Sequence, residues 1–367
     1  MSNNTTTAAA RTCEMHFKDI VLVFLYVVVI ILGVVGNACI CYIFGYRNHH
    51  RKTVTELLIV YLAIFDLLAS IFAPFVFMYW ILTCSTWHFG IIGCKILPLL
   101  SRVFINISVG IILILAVDRF QAICVPFRGQ FAKKNIHIAV LVTILLSFVC
   151  ESYYIEALTI GNGRLSGCIV EPNNKILYSK VTSSILIARD SLYIICFTTT
   201  TFGIAFTIRK RDLYFTAPQN MSRQEMGRVV RVVIVMQLVF LILLLPRDIL
   251  HILFSLSWLG GKGIPYTEEI ETLNEFLKLF QTANCCANIF VYAKLHDRFR
   301  SSFLEVIQQS IGCGSPASAT AVALRYNRQL LVRSDERQTQ SFRDVEFYTP
   351  KLSKRMEGYM TNGKQKL

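Results

Sequence analysis

The sequence predicts an all-α membrane protein: a bundle of seven transmembrane helices, with a short amphipathic helix after the last span. Three observations predict it. Of the 367 residues, 54% are hydrophobic and only 16% charged, whereas a soluble domain is roughly a quarter charged because its surface must face water. Mean hydropathy is +0.51, and seven stretches reach the about 20 apolar residues that a helix needs to cross hydrocarbon. The basic residues fall between those stretches rather than on one soluble face. The formal charge of +14 therefore reads as membrane topology, not as nucleic-acid binding.

Taken in order, residues 1–19 are polar and lack the compact apolar core of a secretory signal, so the first span is expected to serve as its own insertion signal. Asn3 and Asn4 open two overlapping Asn-x-Thr sequons suited to glycosylation. The spans are expected at 20–44, 56–82, 96–123, 136–158, 183–208, 229–257 and 272–292, so that 20–292 forms one membrane domain. Arg47, Arg51 and Lys52 follow span one, Arg128, Lys133 and Lys134 follow span three, and Arg209, Lys210 and Arg211 follow span five. Cytoplasmic loops carry the excess of Lys and Arg, which puts the N-terminus outside and the C-terminus in the cytosol. Asn106-Ile-Ser108 and Asn220-Met-Ser222 also match the sequon, but they fall inside span three and in a cytosolic loop and are chance matches.

The outer segment 159–182 contains Cys168, and the inner segment 209–228 is brief and basic. Beyond Tyr292, Phe299, Phe303, Leu304 and Ile307 recur at helical spacing, which predicts an amphipathic helix over 293–310 lying on the inner lipid face. Cys313 follows it and is either palmitoylated or left unmodified. Residues 311–367 are rich in Ser, Thr, Arg and Gln and are expected to be a disordered cytoplasmic tail. Ser301, Ser302, Ser334, Thr339, Ser341 and Ser353 are candidate kinase targets there, and phosphate charge on them would recruit arrestin. Most of the 12 cysteines lie within spans. Cys13, Cys84, Cys94 and Cys168 lie outside, where oxidising conditions favour disulfides. The pair expected is Cys94 with Cys168; Cys13 and Cys84 either form a second pair or remain free thiols.

Polar residues at bilayer depth are costly and tend to be functional. Span one holds Gly36-Asn37, and span two Leu62-Ala63-x-x-Asp66. Span three ends in Asp118-Arg119-Phe120, 25 residues after Cys94 at the arginine, with Val125-Pro126 following. Span six places Pro246 six residues after Phe240, and span seven reads Asn284-Cys-Cys-Ala-Asn288-Ile-Phe-Val-Tyr292, with Phe299-Arg300 after it. Each motif alone is weak. Their order and spacing across residues 20–310 resemble the rhodopsin-like (class A) G protein-coupled receptors.

The resemblance implies roles. Asp118 would hold Arg119 at rest and release it to a heterotrimeric G protein when span six, hinged at Pro246, swings outward; Asn288 and Tyr292 would take part in the same change. Asp66, Ser108, Asn284 and Asn288 match the positions that line an allosteric sodium pocket, and a lone intramembrane carboxylate does need a cation or several hydrogen bonds. A hydrated polar cluster without sodium is the alternative. Departures bear on activation. Phe120 replaces a tyrosine, Leu243-Leu-Leu-Pro246 lacks the tryptophan of Cys-Trp-x-Pro, and Asn288-Ile lacks the proline of Asn-Pro-x-x-Tyr. Span four lacks a tryptophan, span five lacks a proline, and Phe202 or Phe206 stands where span five usually has an inner tyrosine.

Thr282 occupies the position of a retinal Schiff-base lysine and Ser101 that of an amine-binding aspartate, which argues against both ligand classes. Trp87-His-Phe89-Gly90-x-x-x-Cys94 in the first outer loop, Lys52-Thr-Val-Thr55 and Pro74 look like the somatostatin, opioid and galanin style of neuropeptide receptor. The candidate ligand residues are Arg102, Arg189, Asp190, Arg247, Asp248, His251, Glu275 and Lys278. They either pair with charges on a peptide or with one another, Arg102 with Asp248 and Glu275 with Lys278, to limit desolvation. Glu268, Glu269 and Glu271 form an acidic rim that would attract a basic peptide. A ligand scavenger or scaffold of the same fold, without G-protein signalling, is the alternative function. A transporter would be marked by inverted repeats and broken mid-membrane helices, and neither is present. With no metal cluster, nucleophile motif or phosphate loop, the sequence reads as a non-enzyme.

Overall fold

The structure, a computed structural model, describes residues 15–47, 53–125, 131–161, 167–214, 223–261, 263–265, 267–295 and 297–310. Span one is α1 (Phe17–Ile40), prolonged by a wider π-helical turn at Cys41–Arg47. Spans two and three are α2 (Val54–Leu82) and α3 (Gly90–Cys124). Span four is α4 (Lys133–Glu151) with a final short turn α5 (Tyr153–Ala157). Span five is α6 (Lys175–Tyr214), span six is split into α7 (Arg223–Leu243) and α8 (Leu245–Leu259), and span seven is α9 (Glu268–Leu295). A last helix, α10, runs over Asp297–Ser310.

Local chemistry sets several boundaries. At the start of α2 the Glu56 amide donates to Thr53 Oγ1 at 3.2 Å while the Thr53 amide donates to the Glu56 carboxylate at 2.9 Å. This reciprocal capping box satisfies two otherwise orphaned donors. α3 begins at Gly90, whose φ of +64° suits glycine, and the Trp87 indole N–H fixes that corner by donating to the Gly90 carbonyl at 3.0 Å. The helix thus starts six residues before the expected 96, because the aromatic corner of Tyr79, Trp87 and Phe89 packs the extra turns. In span six, Pro246 has no N–H to give and the helix breaks at Leu244.

Six spans, from Phe17–Tyr46 to Val230–Leu259, are long and apolar enough to cross a membrane among the described residues. α9 is long enough at 28 residues, but it is diluted by its glutamates, Lys278 and asparagines and is held by packing on α1, α2 and α7. α3 is central, with Val103, Ile107 and Ile111 fully buried. The opposite pattern marks α4 and α6, whose Leu145, Val149, Ile195 and Phe202 are exposed: these are faces for lipid chains. Glycines allow the closest approaches. A Cβ on Gly33 would stand 2.5 Å from that of Ser70 on α2, and one on Gly36 would stand 2.6 Å from Ile289 Cδ1 on α9.

One segment differs from expectation. The segment 159–182, expected to lie outside, carries an antiparallel hairpin, β1 (Leu158–Ile160) with β2 (Cys168–Val170), in register Leu158↔Val170. Its last residues, from Lys175, already belong to α6. The Cys94–Cys168 disulfide ties β2 to the start of α3. Cys84 is also disulfide-bonded; Cys13, its expected partner, lies outside the described residues, as do Asn3, Asn4 and Cys313. In α10, Phe299 stacks on Phe44 of the π turn at 5.9 Å and on Phe303 at 5.5 Å, and its ring lies 6.2 Å from that of Tyr292. From Leu304 the helix belongs to a second unit.

Candidate functional site

Functional side chains collect at three depths. The first is a charged belt below the disulfide-bonded end. Arg102 on α3 donates through Nε to Glu151 Oε2 at 2.7 Å, and the Asn106 amide, one turn on, donates to Glu151 Oε1 at 2.6 Å. Asn106 Oδ1 in turn accepts from Arg189 Nη1 at 2.8 Å. The Arg189 fork then reaches Asp190 at 2.8 Å and Asp248 on α8 at 2.5 Å. One continuous polar chain therefore joins spans three, four, five and six. The expected pairing of Arg102 with Asp248 is corrected: Glu151 lies nearer to Arg102, and Asp248 pairs with Arg189. Glu275 and Lys278 do pair, at 2.7 Å, and the Lys278 ammonium lies over the rings of Phe77 and Trp80.

A tyrosine relay runs beside the belt. The Arg102 guanidinium sits 4.8 Å above the Tyr154 ring, the Tyr154 hydroxyl meets that of Tyr178 at 3.1 Å, and Tyr178 lies 3.4 Å from His251 Nε2. His251 opens into a cavity of about 240 Å³ lined by Arg247, His251, Phe254, Trp258, Ile264 and Asn274. Its lining combines three apolar side chains, Phe254, Trp258 and Ile264, with three polar ones, Arg247, His251 and Asn274, and ligand sites combine apolar walls with polar groups that orient the ligand.

The second depth is the Asp66 centre. Asp66 is fully buried. Its Oδ1 accepts from the Ser108 hydroxyl at 2.5 Å and its Oδ2 from the Asn288 amide at 2.6 Å. Both donors are neutral, and no Lys or Arg pairs with Asp66 among the described residues. Asn284 departs from the expected set: its amide nitrogen is buried without a partner and does not reach the carboxylate. Asn37 instead ties α1 to α9, donating to the carbonyls of Gly33 and Cys285, both at 2.9 Å.

The third depth is the end opposite the disulfide. Asp118 is buried and takes Arg119 Nη2 at 2.5 Å and Nε at 3.0 Å, so the arginine is held within its own helix turn. Around it the bundle is closed. Ile123, Ile204 and Val230, from spans three, five and six, form one apolar cluster with Phe120, Ile208 and Ile234. The Phe120 ring lies where a Cβ on Gly203 would meet it at 2.4 Å. Phe202 and Phe206, expected to replace an inner tyrosine, are 70% and 68% exposed and face outward, so neither takes that part. Above this cluster, Thr201 of α6 donates to Gln237 of α7 at 2.6 Å. Phe240 packs edge-on against Phe197 and Tyr193, and Leu244 fills the bend as a buried aliphatic.

Sequence reasoning missed Glu151, Asn106 and Gln237. Glu151 stands in an apolar run and is as conspicuous as Asp66. Asn106 lies four residues from Arg102, on one helix face.

The family model described as 7 transmembrane receptor (rhodopsin family) matches residues 36–292. Neuropeptide FF receptor 2 of Mus musculus is 25% identical over 349 residues, covering 87% of this chain and 80% of its own. Somatostatin receptor type 2 of Mus musculus is 27% identical over 302 residues, with 79% and 78% covered. Cysteinyl leukotriene receptor 2 of Sus scrofa is 25% identical over 314 residues, with 83% and 88% covered. With the membrane-crossing bundle and the Asp66 and Asp118–Arg119 centres in place, the chain belongs to the rhodopsin family of seven-transmembrane receptors, the class A G protein-coupled receptors, which are signalling receptors rather than enzymes.

Proposed function

We propose that this receptor is activated by a peptide that enters the cavity at the disulfide-bonded end from outside the cell. The observation that carries the reading is a cavity seated on a charge network that spans four helices, in a chain related to receptors named for neuropeptide FF and somatostatin. A peptide supplies termini and side chains that can displace partners in such a network, and the acidic Glu268–Glu271 rim favours the approach of a basic one. The disulfide suits an oxidising compartment and the basic segments suit the cytosol; both support an orientation with the N-terminus outside at the plasma membrane. Arg119, freed from Asp118, would then meet the G protein as α7 moves away from Ile123 and Ile204.

The test is a calcium assay with a promiscuous G protein against a broad library of peptides, with Arg119→Ala as control. A response lost in the mutant supports the reading. Silence from receptor present at the cell surface would count against it and favour the scavenger alternative, which the unbroken α9 and the aliphatic Leu244 make worth testing by ligand uptake. Receptor kinase and arrestin acting on the tail, palmitoylation of Cys313 and glycosylation of Asn3 or Asn4 belong to the same proposal. So does an allosteric sodium ion at Asp66. The fit is favourable, since a buried carboxylate with only neutral donors carries charge that a cation would offset, and the Ser108 oxygen is a hard ligand beside it.

A further inference from the structure

In the belt, the buried acids are already engaged by cations: Glu151 by Arg102, Asp190 and Asp248 by Arg189, and Glu275 by Lys278. Arg247 is different. Its side chain makes no hydrogen bond or ion pair with any described residue, and its Nε is buried without an acceptor. It lines the cavity, and with His251, Phe254 and Trp258 it forms one stripe of α8 at spacings of four, three and four residues. The stripe places the guanidinium at one end and the two aromatic rings toward the other. A second cation, the Lys175 ammonium, sits 4.1 Å over the Trp258 ring. The charge left uncommitted in this cavity is therefore positive, and it stands next to an apolar wall.

A guanidinium whose Nε is buried without an acceptor carries a desolvation cost, and a planar fork is matched best by a carboxylate bound through two hydrogen bonds. We infer that Arg247 is the anchor for a carboxylate on the ligand, one carried by a large apolar or aromatic body that lies along Phe254 and Trp258. A peptide with a free-acid, apolar C-terminal residue has this chemistry, and so does a fatty-acid carboxylate. An amidated terminus does not. The inference rests on the proposed function only in taking this cavity as the ligand site.

The test is direct binding to full-length receptor purified in nanodiscs, followed as thermal stabilisation. Three acid and amide pairs serve as probes: indole-3-propionate with its amide, a short tryptophan-terminated peptide as free acid and as amide, and decanoate with decanamide. Each acid that binds should stabilise the receptor at concentrations about tenfold below its amide, the ratio expected of a charge-assisted hydrogen-bond pair. Arg247→Gln should abolish the preference and Arg247→Lys should keep part of it, with both variants melting near wild type in the absence of probe. Should Arg247→Gln fail to fold, Trp258→Ala is read instead, and it should weaken every acid while keeping the preference over the amide. Preference for the peptide acid assigns the site to a peptide terminus, and preference for decanoate assigns it to a lipid carboxylate; both support the anchor. No preference in any pair, or a preference that survives Arg247→Gln, overturns it. Because binding is read without signalling, a receptor silent toward peptides and a cavity indifferent to anions are separate results.

Discussion

Removing Glu151 tests whether the charged belt holds the disulfide-bonded end of the bundle together. The Glu151 side chain is 1% exposed and that of its partner Arg102 is 20% exposed, so the two truncations are unequal. Glu151→Ala strands a guanidinium that retains the Tyr154 ring beneath it and its own partial exposure. Breaking a buried pair costs about 3–5 kcal/mol, and these compensations place Glu151→Ala near the lower end, about 3 kcal/mol. Arg102→Met strands a carboxylate with nearly no exposure and only the Asn106 amide left on it, which places it near the upper end, about 5 kcal/mol. Replacing both by apolar residues of similar volume removes the desolvation penalty along with the attraction, so Glu151→Met with Arg102→Met should lie within about 1 kcal/mol of wild type. The assay is thermal unfolding of purified receptor at a fixed scan rate, since membrane proteins of this size unfold irreversibly. At about 2 °C per kcal/mol for a chain this long, the single variants should melt some 6 and 10 °C lower and the double variant should recover. Single variants that melt within about 1 °C of wild type, or a double variant as unstable as the worse single, would refute the idea that these charges are there for each other.

Three further outcomes follow from the other centres. Sodium should raise the melting temperature relative to an equal concentration of choline, and Asp66→Asn should remove that difference while keeping an oxygen for the Ser108 hydroxyl; equal behaviour in both salts removes the case for the ion. Gln237→Leu cuts the 2.6 Å link from Thr201; a lost hydrogen bond of about 1 kcal/mol shifts a two-state equilibrium about fivefold, so basal nucleotide exchange should rise by that order, and an unchanged basal rate rejects the link as a restraint. Gly33→Ala would put a Cβ 2.5 Å from that of Ser70, and overpacking of this kind costs about 1–3 kcal/mol, read as a lower melting temperature with Gly45→Ala as control, since a Cβ there meets only Val60 at 3.9 Å.

The fold was legible because hydrocarbon imposes a length and a polarity that few other structures share: every expected span overlaps an observed helix. The resemblance implied a grouping of Asp66, Ser108 and Asn288, and the structure brings those three together. The sequence was less able to pair the belt. Which acid meets Arg102 depends on how closely α4 packs on α3, where Gly110 leaves room for Thr143, a packing detail that spacing along one helix does not encode. Asn284 shows the same limit: it lies on the right span and four residues from Asn288, yet its amide misses the carboxylate. The hairpin at Leu158–Val170 was invisible because its strands are three residues each, too short to show alternation.

The forty residues of α6 have a mechanical consequence. At 1.5 Å per residue the helix is about 60 Å long, against a hydrocarbon core of about 30 Å. A tilt of about 60° would be needed to hide that length, and spanning helices tilt by at most about 40°, so the rod must project beyond the core. Lys175 at one end touches the cavity wall through Trp258, and Arg209 and Lys210 ride near the other. Between them Arg189 and Thr201 fasten the rod to span six. One continuous helix thus carries a side chain at the cavity wall, two polar fasteners to span six, and a cationic end on the opposite side of the bundle.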